Sequence, residues 1–216
     1  DEATRAHFED HDYCGLDRND VTFFVQGMWP ALDADGRIML DQPGHIFMSP
    51  DGHGGTLTAL DKNGCLADME RRGINSVFYF QVDNPMVEIA DPAFIGLHVS
   101  RRADVSLKLC AKREPKEGLG VVVSRDGHSE MVEYTELTDE QANRRTASNE
   151  LYFKYGSVAI HVFSYAFMKE EAGKAMPLHT AHKKIPACAE DGAVVKPTSN
   201  NGYKFEKFIF DVLPDA

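Results

Sequence analysis

Hydrophobic positions in this chain gather in short continuous runs. They occupy residues 21–25, 76–82, 105–111, 120–124, 158–164 and 207–213, each rich in β-branched or aromatic side chains and bounded by Gly or charged residues. Runs of this length without alternation predict strands covered on both faces, the habit of a largely parallel sheet. Between them the period lengthens. Leu57, Leu60, Cys65, Leu66 and Met69 predict a helix over 56–72, with Asn63-Gly64 as its break. Asp91 before Pro92 predicts an N-cap and a Pro at the first helical position, with Phe94, Ile95, Leu97 and Val99 following. Thr138 and Gln141 predict a capping box opening a polar helix over 138–149. Strands alternating with helices make an α/β sandwich with a Rossmann-like sheet the expected fold. Asp33-Ala34-Asp35-Gly36 and Asp126-Gly127 predict hairpin turns. The first lacks the further acids and closing Glu of a calcium loop.

Composition narrows the picture. The 216 residues are 43% hydrophobic, enough for one domain or one with a small appendage. The formal net charge of -11 excludes long-range steering of nucleic acid or anionic membrane. A phosphate-bearing ligand would need local lysines, backbone N–H groups or a divalent cation. Cys14, Cys65, Cys110 and Cys188 stand far apart, without a CxxC pair. They read as reduced, buried or partly buried thiols of a cytoplasmic protein. No secretory apolar region opens the chain, and its apolar runs are too short to span a bilayer.

Four segments carry chemistry. Met48-Ser49-Pro50-Asp51-Gly52-His53-Gly54-Gly55-Thr56 is a Gly-rich loop between a strand and a helix. Its small residues would let backbone approach a base or phosphate beside a helix N-terminus, although a plain connecting loop has the same composition. The strand ending in Val82-Asp83-Asn84 sets a carboxylate where α/β sheets bind ligands. Asp83 there suits either Mg²⁺, a hard cation that keeps several waters, or the cap of a following helix. Residues 200–211 form a turn and a strand alternating polar with aromatic side chains, with Lys204 either near a ligand phosphate or solvated. His179, His182, Lys183 and Lys184 read as a cationic helix C-terminus rather than a zinc site, since no third ligand follows at a recognisable spacing.

Taken in order, these segments resemble the UDP-N-acetylglucosamine (N-acetylhexosamine) pyrophosphorylases and their UDP-sugar and UDP-glucose relatives. The resemblance runs through Phe23-Phe24-Val25-Gln26-Gly27-Met28, the Gly-rich loop, Val82-Asp83-Asn84-Pro85 and Ala90-Asp91-Pro92-Ala93-Phe94-Ile95-Gly96. It continues through Gly120-Val121-Val122, Val132-Glu133-Tyr134-Thr135-Glu136, His182-Lys183-Lys184-Ile185-Pro186 and residues 201–211. It implies a GT-A-like, Rossmann-type nucleotidyltransferase with a mixed, mainly parallel sheet. The implied reaction joins UTP and a sugar 1-phosphate into UDP-sugar and pyrophosphate, with Mg²⁺ and without a protein nucleophile. UDP-N-acetylglucosamine is the expected product. A UDP-glucose or broad UDP-sugar enzyme, and a non-catalytic sugar-nucleotide module, are the rival readings.

The resemblance also implies roles. Gln26, Gly52 and the backbone around His53 would hold uracil and ribose. Asp83 would bind Mg²⁺, with Asp211 as a second carboxylate, and Lys204 would meet phosphate as a point charge. Gly120, Glu133 and Ser157 would line the sugar. Phe208 and Phe210 would wall the pocket near the sugar or its acyl group. Where His53 and Ser157 stand, the family usually has Asn. Its signature loop, Leu-x-x-Gly-Gly-x-Gly-Thr-Arg-Leu-Gly followed by Pro-Lys, does not occur in the sequence. Residues 1–216 are therefore expected to be the central part of a catalytic domain, without turnover by themselves. No nucleic acid or membrane partner is expected.

Overall fold

A computed structural model describes residues 2–189 and 191–216. The chain divides into two units. The first comprises residues 1–68 and 175–209, the second residues 69–174 and 210–216.

The first unit is built from short antiparallel pairs. Met28–Pro30 lies against Met48–Pro50, Leu40–Gln42 against His45–Ile46, and Ala187–Cys188 against Val194–Val195. Gly202–Glu206 sits between His179–Lys183 and Leu32–Asp33. Ala31, Met39 and Ile185 form a buried cluster beneath them, with Phe47 and Ala187 packed on it. Helix Gly55–Lys62 buries Leu57, Ala59 and Leu60. It stops at Asn63, and Gly64 takes φ +73° before Cys65–Arg71 begins, as the Asn63-Gly64 break predicted. The Asp33–Gly36 turn also forms as expected. The Asp33 carboxylate accepts from the N–H groups of Asp35 and Arg37, and the Gly36 N–H donates to the Asp33 carbonyl.

The second unit is organised around one long strand, Tyr155–Ser164, whose middle residues Ile160, His161, Val162 and Phe163 are buried. Val105–Ala111 pairs along it, and Ser76–Tyr79 and Val121–Arg125 also pair with it. His128–Val132 completes the sheet through the Asp126-Gly127 turn, where both residues have positive φ. Helix Pro92–Arg101 is capped by the Asp91 carboxylate, which accepts from the N–H groups of Ala93 (2.9 Å) and Phe94 (3.3 Å). The Thr138–Gln141 capping box forms, but its helix ends at Asn143.

The α/β class stands, with corrections. Every recorded strand pairing is antiparallel, so the largely parallel sheet is not what these residues form. Burial of a strand on both faces produces a continuous apolar run in either direction of pairing. Residues 21–25 form no strand. Instead Phe23 packs edge-on against Phe8 with Arg5 over its ring. The 207–213 run is not a strand either. The ladder ends at Glu206 and a 3₁₀ helix covers Ile209–Asp215, because the Lys207 backbone turns to clasp residues 51–54. His179–Lys183 is a strand, not a helix terminus, so its two histidines do not share a helical face. The four cysteines are thiols, yet Cys14 and Cys110 are exposed rather than buried. Among the described residues, no helix is long and apolar enough to cross a membrane.

Candidate functional site

The Gly-rich loop of the first unit is held by three backbone hydrogen bonds, to Gly27 and to Lys207. The Asp51 N–H donates to the Gly27 carbonyl (3.0 Å), and the Lys207 N–H donates to the Asp51 carbonyl (2.8 Å). The Gly54 N–H then donates to the Lys207 carbonyl (2.9 Å). Gly52 has φ +81°, and a Cβ on it would collide with the Lys207 backbone. A Cβ on Gly54 would come within 2.8 Å of the Lys207 and Phe208 backbone. The glycines therefore let one strand end lie directly on the loop.

Side chains complete the clasp. The Gln26 amide nitrogen donates to Asp51 Oδ1 (3.3 Å) and to the Gly52 carbonyl (3.1 Å). The Ile209 N–H donates to His53 Nδ1 (3.0 Å), which fixes the neutral ring with its proton on Nε2. Burial, together with the neighbouring His179, pushes the His53 pKa down to about 4. The Phe208 ring stacks on His53 (5.3 Å between centroids) and lies tilted against His179 (4.3 Å). Gln26, Gly52 and His53, read together from the sequence, thus share this loop, and Phe208, read with Phe210 near the sugar, packs on His53. Lys204 holds its ammonium over the Phe47 ring at 5.3 Å. The lysine that reaches the loop is Lys207, with Nζ 3.9 Å from Asp51 Oδ2.

In the second unit, Gly120, Ser157 and Glu133 come together. The Ser157 N–H donates to the Gly120 carbonyl (2.8 Å), and a Cβ on Gly120 would stand 3.1 Å from Glu133 Oε1. A bulge follows Ser157 in the long strand, and Ala159 takes φ +56°. The Ala159 N–H donates to Ser157 Oγ (3.2 Å), which aims the hydroxyl. Asp83 lies exposed in the turn after Ser76–Tyr79, with no hydrogen bond or ion pair from another described residue. Phe210 is buried and Asp211 half-buried in the 3₁₀ segment. Asp51 and Lys207 were not singled out by sequence. Asp51 is only 4% exposed, and the signal that could have found it is the pair of glycines, Gly27 and Gly55, that leave no room for a Cβ beside it.

The Gly-rich loop is thus packed against the chain's own backbone ahead of a helix, and helix N-termini are sites where anions bind. Comparison with known proteins gives the family. The family described as UTP--glucose-1-phosphate uridylyltransferase matches residues 1–212, and the chain belongs to it. A Xenopus tropicalis relative named UDP-N-acetylhexosamine pyrophosphorylase-like protein 1 is 45% identical, over 99% of this chain and 42% of its own length. The Saccharomyces cerevisiae UDP-N-acetylglucosamine pyrophosphorylase is 36% identical, over 98% of this chain and 45% of its own. The solved Trypanosoma brucei uridine diphosphate N-acetylglucosamine pyrophosphorylase, in complex with inhibitor, superposes with a TM-score of 0.84 at 34% identity. It covers 99% of this chain and 42% of that one. The chain thus spans less than half the length of these relatives.

Proposed function

We propose that the protein containing this chain transfers a uridylyl group from UTP to a sugar 1-phosphate, releasing pyrophosphate, within a GT-A-like nucleotidyltransferase domain. The preferred acceptor on this reading is N-acetylglucosamine 1-phosphate. The observation that carries the reading is the convergence of the Gln26 amide on the clasped Asp51–Gly52–His53 loop. The first unit would take the uridine, with Gln26 and Gly52 at the base and the His53 backbone at the ribose. Lys204, whose ammonium lies over Phe47, would meet phosphate. The second unit would take the sugar on Gly120, Glu133 and Ser157, with Glu133 accepting from its hydroxyls. Family membership and the relatives' names support this assignment. Free thiols fit a cytoplasmic setting.

Asp83 suits Mg²⁺. It offers a hard, exposed carboxylate oxygen. Such a donor fits an ion that keeps its waters and takes the remaining ligands from phosphates. Bound there, Mg²⁺ would offset charge on the phosphates. The chain's own work is to hold the uracil, orient the sugar and exclude water, because an in-line displacement at phosphorus gains most from positioning and charge stabilisation.

Ser157 favours a second sugar preference. One hydroxyl, already accepting from Ala159, offers less to an acetamido group than the family's Asn. The test is pyrophosphate release by the whole protein with UTP and either N-acetylglucosamine 1-phosphate or glucose 1-phosphate. Faster turnover of the first supports the reading, and faster turnover of the second shifts it to a UDP-glucose enzyme. Binding of UDP-sugar without turnover of either would make the protein a binding module.

A further inference from the structure

We propose that Asp51 is a positioning residue that fixes which edge of the Gln26 amide meets the base, and so makes the site select uracil over cytosine. This rests on the reading of Gln26 as a base contact. The Gln26 amide nitrogen has two hydrogens, and two acceptors stand before it, Asp51 Oδ1 at 3.3 Å and the Gly52 carbonyl at 3.1 Å. A carboxylate and a carbonyl only accept. Turning the amide over would set Oε1 against both, so the nitrogen is committed to the loop and Oε1 is the edge left for a ligand. An acceptor there pairs with uracil, whose N3 carries a hydrogen. Cytosine N3 is itself an acceptor and would be repelled.

Asp51 is held so that it can impose this choice. Its backbone is bonded to Gly27 on one side and Lys207 on the other. A Cβ on Gly27 would stand 2.6 Å from Oδ2, and one on Gly55 would overlap the carboxylate. The Lys207 ammonium balances its charge at 3.9 Å. Burying a carboxylate with one long hydrogen bond and a loosely placed ammonium contributes little to stability. A task at the neighbouring amide accounts for keeping it.

The experiment compares kcat/KM for UTP and CTP, with one sugar 1-phosphate, in the whole protein and in Asp51→Asn. An Asn keeps the volume but can offer either its oxygen or its NH₂, which frees Gln26 to turn. The UTP-to-CTP ratio is expected to fall at least about 10-fold, mostly through KM, because a misdirected hydrogen bond is what separates the two bases. Equal losses with both nucleotides would mean a merely structural role and would overturn the inference. Wild-type transfer without preference for UTP would overturn it while leaving the proposed function standing. Transfer from neither nucleotide would remove both.

Should Asp51→Asn not fold, the wild-type protein gives the answer by NMR. The Gln26 side-chain NH₂ signals, identified by their loss in Gln26→Met, are expected to show contacts to Gly52 Hα with and without UTP. Contacts from that NH₂ to the bound base instead would overturn the inference.

Discussion

The Gly-rich loop and the Asp83 turn are built on opposite plans. The loop is clasped by the chain's own bonds. Asp51 is 4% exposed, three backbone hydrogen bonds fix the loop's path, and the Gln26 and His53 side chains are already bonded. The Asp83 turn is open. Its neighbours Val82 and Met86 are 96% and 87% exposed, and the Asn84 side chain accepts from the Met86 N–H to shape the turn locally. A flat base is best met by a rigid surface, because holding still what is already ordered costs no further entropy. On the proposed reading, Asp83 would share its ion with phosphates and water and needs no such frame. On this contrast, changes at the loop should damage stability and function together, and changes at the turn should damage function alone.

The sharpest way to break the comparison is Gly55→Ala. Its new Cβ would overlap the Asp51 carboxylate at the start of a helix. Stability in urea is expected to fall by about 3 kcal/mol, the cost of severe overpacking. An unchanged midpoint would show that the loop is not clasped. Next in size is Asp83→Ala, expected to lower turnover of the whole protein about 100-fold, as for loss of a charge-stabilising group. The melting temperature should not move, because the side chain is exposed. Near-normal turnover would remove Asp83 from the metal.

A smaller effect is pH-dependent. The folded pKa of His53 is about 4, against an ordinary value of 6.5. Between these values the unfolded chain binds the extra proton, so the stability contributed by neutral His53 is present above pH 6.5. It is lost as pH falls toward 4 and is level below that. His53→Asn keeps an acceptor for the Ile209 N–H without titrating. Its acid destabilisation between pH 7 and pH 4 should be smaller than the wild type's by roughly 2 kcal/mol. Equal losses would place the acid sensitivity elsewhere. The smallest effect concerns Ser157→Asn, which should raise the preference for N-acetylated over plain sugar 1-phosphates about 5-fold, the worth of one added hydrogen bond. An unchanged ratio would show that this position does not read the acyl group.

Features that depend on neighbours in sequence were legible. The Asp91 cap, the break at Asn63-Gly64, the Thr138 capping box and both Asp-Gly turns are decided within four residues. The loop's glycines announced a close approach, but its partner here is the Lys207–Phe208 backbone, which the sequence did not indicate. What depends on partners far along the chain was not legible. The direction of pairing of Tyr155–Ser164 leaves no mark on an apolar run. The aromatic pattern continues past Glu206, but the ladder stops there because Lys207 spends its N–H and carbonyl on Asp51 and Gly54. Within the Gly-rich loop nothing next to Asp51 in sequence marks it as buried. Its burial is set by Gly27, 24 positions upstream, and by Lys207 from the other end of the chain.

The most direct test of the account is a crystal structure of the whole protein with UDP-N-acetylglucosamine. The uracil is predicted to lie against Gly52, with its N3–H donating to Gln26 Oε1 and with the loop unmoved from its position here. Uracil bound away from Gln26 and the 51–55 loop, or a loop that re-forms around it, would contradict the claim that the uridine site is built in advance.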